Sequence, residues 1–245
     1  MKNCMPRLFT LFAALTIGAA ACAFAQAAER TEVYKKVGDV ELNLHIFEPE
    51  GHQASDARPA IVFFFGGGWV GGTPTQFFPQ CEYLASRGVV AISAEYRIRS
   101  KHGTSPAECV ADGKSAIRWV RSHAKQLGVD PARIAAGGGS AGGHVAAATG
   151  TLSKFDEPSE DAAVSSRPDA LVLFNPVFDN GPDGYGHDRV QAYWRDISPL
   201  HNISDKSPPT IVFLGDKDKL IPVATASEYK ARMEKAGVRC DVWIY

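Results

Sequence analysis

The sequence predicts an α/β fold built on a doubly wound, mostly parallel sheet. Three observations carry that prediction. Strand-like and helix-like segments alternate along the chain. Four of the strand segments, "AIVFFF", "VVAISAEY", "ALVLFNP" and "TIVFLGD", are near-continuous apolar runs, as strands buried on both faces require. The 245 residues, 45% apolar, suit one such domain with a sizeable core.

The first segment is not part of that pattern. Lys2 and Arg7 precede an apolar stretch from Leu8 to Ala21, and Ala23-Phe24-Ala25 fits the small-residue cleavage pattern of an export signal. Residues 1–25 are therefore expected to be a signal peptide, which implies a secreted or periplasmic protein. The stretch is short for a membrane span, which needs roughly 20 apolar residues. Lipidation of Cys22 is the second reading, and "GAAAC" lacks the large aliphatic residue it would favour. The folded domain is expected over residues 31–245.

"TEVYKKVG" and "VELNLHIFEP" read as two strands of a hairpin turning at Gly38-Asp39. "GHQASDARP" is a polar connector to the buried strand "AIVFFF". "QFFPQCEYLASRG" reads as a helix interrupted by Pro79 and closed by Gly88, and "VVAISAEY" is the next buried strand. "PAECVADGKSAIRWVRSHAKQLG" has Cys109, Ala116, Ile117, Val120 and Leu127 near helical spacing, with Gly128 as its cap. Asp130-Pro131 opens a short turn, "RIAAGG" is a short strand, and "SAGGHVAAATG" starts a helix of small residues. "ALVLFNP" and "TIVFLGD" flank a long irregular stretch from Val177 to Pro209, of the kind that carries functional loops. An amphipathic helix, "PVATASEYKARMEKAG", and a buried apolar strand, "VRCDVWIY", complete the chain.

The net charge of −1 gives no basis for nucleic-acid binding. Beyond the signal, Cys81, Cys109 and Cys240 remain, and an exported protein can oxidise them. The odd number leaves at least one thiol unpaired, Cys81–Cys109 is a candidate pair, and the spacings match no zinc site.

The chemistry concentrates in two glycine-rich segments. "GGSAG", Gly138 to Gly142, is a G-x-S-x-G motif between a predicted strand and a predicted helix. A serine on such a turn stands above the sheet edge, and glycines relieve the crowding around it. The plainer alternative is a helix start with Ser140 as N-cap. "GGGWVGG", Gly66 to Gly72, follows the strand "AIVFFF". It does not keep the spacing of a dinucleotide-binding turn, and no phosphate-loop sequence occurs. Its bare backbone suits the approach of a developing oxyanion. "FLGDKDKLIP" places Asp216 and Asp218 after another predicted strand, either as one catalytic acid or as a solvated turn.

With "AEYR", "SAIRWVR", "GGGSAGGH", "SPLHNI" and "GDKDKLIP", these segments resemble the α/β-hydrolase superfamily, in the esterase/lipase branch with an HGGG-W-like oxyanion motif. Within it, the chain is similar to secreted bacterial acetyl-xylan/feruloyl-esterase-like proteins, over about Thr31 to Tyr245. The resemblance implies Ser140 as nucleophile, and Gly67, Gly68 and Ala141 as oxyanion N–H donors. Its G-x-x-D pattern from Gly215 selects Asp218 as the acid, with Asp179 as fallback. It implies no cofactor or metal. Phe65 stands where the branch usually has histidine, which should change the rigidity of the loop without removing its backbone donors.

In this fold the histidine follows the acid in the chain. None of His45, His52, His102, His123, His144, His187 and His201 does. His144 is expected to pack beside the helix start, while His187 and His201 lie in the long loop, in the wrong order. The expectation is a C-terminally truncated record, with the catalytic histidine beyond Tyr245. The function expected is a secreted serine ester hydrolase acting on a small-molecule or polysaccharide ester, acylated plant polysaccharide in particular. A peptidase or amidase on the same scaffold, and a non-catalytic binding protein, are the alternatives.

Overall fold

A computed structural model describes residue 1 and residues 28–245. The expected signal peptide and Cys22 fall outside these residues, apart from Met1. Among the described residues no helix is long and apolar enough to cross a membrane.

Eight strands form one sheet: β1 (Ala28–Val37), β2 (Val40–Glu48), β3 (Arg58–Phe64), β4 (Val90–Ala94), β5 (Val129–Gly139), β6 (Ala170–Phe174), β7 (Thr210–Leu214) and β8 (Cys240–Ile244). Their order is β1-β2-β4-β3-β5-β6-β7-β8. β1 pairs antiparallel with β2, and β2 with β4; every other pairing is parallel. The hairpin turns at Gly38-Asp39 as expected, with Val37 opposite Val40.

Among the described residues seven α-helices connect the strands: α1 (Phe78–Ala85), α2 (Arg99–His102), α3 (Pro106–Ser122), α4 (Ala141–Thr151), α5 (His187–Val190), α6 (Trp194–Ile197) and α7 (Val223–Lys235). The sheet sorts its side chains by the two-residue period of a strand. Ile61 and Phe63 of β3 face α1 with Phe77 and Cys81. Ala60, Val62 and Phe64 face α3, α4 and α7 in the larger core. Helices on both faces make the sheet doubly wound, the α/β-hydrolase arrangement.

Four local expectations need correction. Pro79 does not interrupt a helix: it occupies the first turn of α1, where its missing N–H costs nothing, and a 3-10 turn (Pro74–Phe77) precedes it. α3 stops at Ser122, and Gly128 closes a separate turn. Its start is a capping box, with the Ser105 hydroxyl accepting from the Ala107 N–H and Glu108 from the Ser105 N–H. Among the described residues β8 is an edge strand rather than a buried one, with Trp243 53% and Ile244 42% exposed. The candidate Cys81–Cys109 disulfide is not formed. Both thiols are free and buried on opposite faces of the sheet, Cys81 among the residues under α1 and Cys109 in the larger core, and Cys240 is free as well.

Candidate active site

The site lies where the sheet order reverses. From β3 the chain crosses to β4 on one side, and β5 lies on the other. In open α/β sheets the crevice at the strands' C-terminal ends beside such a switch point is where ligands bind. The glycine loop leaves β3 there, and Ser140 leaves β5. Asp218 follows β7, two strand spacings or about 10 Å from β5 along the sheet.

Ser140 has φ 54° and ψ −120°, a conformation that costs a non-glycine residue roughly 1–3 kcal/mol. It precedes α4, yet its side chain makes no capping hydrogen bond. Ser140 still stands at the N-cap position of α4, but among the described residues its Oγ has no hydrogen-bond partner. The turn is held by backbone: the Ser140 N–H donates to the Phe174 carbonyl, and its own carbonyl accepts from His144 and Val177. Such a sharp turn presses neighbouring chain together. A Cβ at Gly142 would overlap the Phe64 and Phe65 carbonyl oxygens, so the glycine two residues after the serine is a packing requirement.

The glycine loop wraps against this turn. A Cβ on Gly66 would lie 3.4 Å from the Ser140 Cβ. Gly67 adopts φ +131°, and the N–H groups of Val70 and Gly71 both donate to its carbonyl at 3.0 Å. Among the described residues the N–H groups of Gly67, Gly68 and Ala141 donate to no protein acceptor. Ala141 also opens α4, whose first-turn N–H groups carry the positive end of the helix dipole.

Several anchors of this loop had no signal in the sequence. The Gly66 N–H donates to the Gln76 side chain at 2.5 Å. Arg189, from α5, donates to the Gly68 carbonyl at 2.7 Å and lies over the Trp69 and Tyr185 rings. Phe65, in place of the usual histidine, stacks on Tyr96 at 4.2 Å, and the Tyr96 hydroxyl donates to the Phe65 carbonyl at 2.6 Å.

Asp218 is half-buried, and one carboxylate oxygen accepts from the Leu220 and Ile221 N–H groups at 2.8 and 2.9 Å. The Asp216 side chain is exposed and bonds to nothing among the described residues. The loop is therefore organised around Asp218. Asp179 instead accepts from Gly181 and stands 3.7 Å from His201.

No described histidine hydrogen-bonds Ser140 or Asp218. His187 bonds the Asn180 carbonyl, and His201 bonds Ser198. His144 is fully buried beneath the turn; it donates from Nε2 to the Ile197 carbonyl, and burial lowers its pKa to about 4.

Comparison with known proteins gives the chain's relatives. The BD-FAE family model matches residues 44–179. Esterase 2 of Thermogutta terrifontis, solved phosphorylated by paraoxon, is 47% identical, with a TM-score of 0.84 over 89% of this chain and 82% of that one. Its propionate-bound form is 46% identical with the same TM-score and coverage. The carboxylic ester hydrolase LipM of Mycobacterium tuberculosis, so named as probable, is 33% identical over 75% of this chain and 47% of its own. An acetylxylan esterase of Xylanibacter ruminicola is 26% identical over 76% of this chain and 39% of its own. The chain spans about half the length of three of the curated relatives it matches, 47–54%. A strained serine turn, a glycine loop with free N–H donors and these likenesses converge: the chain belongs to the BD-FAE family, in the esterase/lipase branch of the α/β-hydrolases.

Proposed function

We propose that the protein is an exported serine carboxylic-ester hydrolase working through an acyl-enzyme. One observation carries the reading: an uncommitted Ser140 hydroxyl on a strained turn, beside three N–H groups that donate to nothing else. Ser140 Oγ attacks the ester carbonyl, and the carbonyl oxygen becomes an oxyanion. Gly67, Gly68 and Ala141 donate to that oxygen as it gains charge; losing one such donor typically costs roughly 3–4 kcal/mol of barrier. The alcohol leaves with a proton, and water then attacks the acyl-enzyme and frees Ser140. Asp218 orients the imidazole that carries the proton. Each described histidine is hydrogen-bonded to a group other than Ser140 and Asp218.

The paraoxon adduct of the Thermogutta esterase supports a reactive nucleophile, and its propionate complex supports short acyl groups. The acetylxylan esterase relative favours acylated plant polysaccharide over other esters. Export rests on the pattern of residues 1–25.

The test uses the protein as the cell makes it. A fluorophosphonate probe should label Ser140, and 4-nitrophenyl acetate should be hydrolysed by the wild type but not by Ser140→Ala. Wild-type turnover persisting in the variant would end the proposal. Binding of esters with neither labelling nor turnover would instead leave a binding protein on a hydrolase scaffold. Faster cleavage of a matched amide than of its ester would favour the amidase reading.

A further inference from the structure

Beside Gly68 the surface opens into a groove of about 310 Å³ that runs along the loop to Ser105. Two guanidinium groups line it, Arg189 from α5 and Arg99 from α2. Neither forms an ion pair among the described residues, whereas Arg97, Arg118 and Arg121 nearby in the chain all have carboxylate partners. Arg189 is fixed rather than free. It bonds the Gly68 carbonyl, and the Trp69 and Tyr185 rings hold it at 5.9 and 5.7 Å. That bond uses Nη1 and leaves the other guanidinium N–H groups available. Arg99 is exposed at the groove's wall, and Thr104, whose buried Oγ1 has no protein partner, lines the same space. Asp188 is the single acid in the lining, so the groove carries a net positive charge.

We infer that this groove is a subsite for an anionic group of the substrate, a carboxylate such as that of a uronic acid residue beside the acylated sugar. Gly68 belongs to both places: it lines the groove, and its N–H is one of the proposed oxyanion donors. Its carbonyl accepts from Arg189, so the guanidinium stands one residue's width from that donor. A planar guanidinium with one edge fixed is suited to a two-point grip on a carboxylate. The assignment rests on the hydrolase reading above and narrows its substrate to acidic, rather than neutral, acylated saccharides.

The experiment is a binding titration, read by calorimetry or ligand-detected NMR, with the methyl glycoside of glucuronic acid and the neutral methyl glycoside of glucose. The anion should bind about tenfold more tightly than the neutral sugar, a ratio expected of one charge-assisted contact. High salt should reduce that preference, and so should Arg99→Gln and Arg189→Gln, each checked for an unchanged thermal melt. Equal binding of the two sugars, binding of neither, or a preference untouched in both variants would overturn the inference. Labelling of Ser140 without any anion preference refutes the groove alone. An anion preference without labelling upholds the groove and refutes the hydrolase reading.

Discussion

Replacing His144 with glutamine removes an imidazole that burial keeps neutral. Its ring is fully buried one turn into α4, edge-on to Trp69 at 5.0 Å. Burial lowers its pKa from 6.5 to about 4. Between those values the unfolded chain binds a proton that the folded protein refuses, so stability falls as pH falls through that window. The full interval is worth about 3 kcal/mol, of which about 2 kcal/mol is lost between about pH 7 and about pH 4.5. Glutamine retains an amide N–H for the Ile197 carbonyl but does not titrate. Urea unfolding of wild type and His144→Gln at both pH values measures the effect as a double difference, which cancels the cost of repacking. The wild type should lose about 2 kcal/mol more than the variant on acidification. Equal losses would refute the reasoning.

The remaining predictions concern the site and its support. Asp218→Asn should lower turnover of a nitrophenyl ester by on the order of 10⁴-fold and Asp216→Asn by little, because only Asp218 is held by its loop; reversed effects would move the acid. Gly142→Ala should destabilise by about 1–3 kcal/mol in denaturant unfolding, since its Cβ meets backbone that cannot rotate away. Asp112→Ala should cost about 3–5 kcal/mol, because the fully buried carboxylate binds Arg97 at two points and Lys35 at 2.9 Å, and removing it strands Arg97 while Lys35 keeps Glu157 as its only carboxylate. A loss under about 1 kcal/mol would mean that Arg97 finds another partner.

Much of the architecture follows from local sequence. The apolar runs of β3, β4, β6 and β7 read directly as buried parallel strands, because strand burial imposes its own composition. The serine turn was legible for the same reason: Gly142 is dictated by backbone contacts within a few ångströms, and such contacts leave a mark at fixed spacing. The resemblance already selected Asp218 over Asp216; the structure adds the physical difference between two like carboxylates, since only Asp218 is partly buried and accepts from its own loop. The pairing of Cys81 with Cys109 failed because chain spacing says nothing about which face of a sheet a helix covers. The exposure of β8 likewise depends on its place at the sheet edge, which the apolar pattern of a strand does not encode. Least visible of all was Arg189, 121 residues from the Gly68 carbonyl that it holds. Periodicity and motif spacing report what a residue does to its chain neighbours. A contact closed over such a distance is created by the sheet order, and only the tertiary structure could bring that charge to the rim of the site.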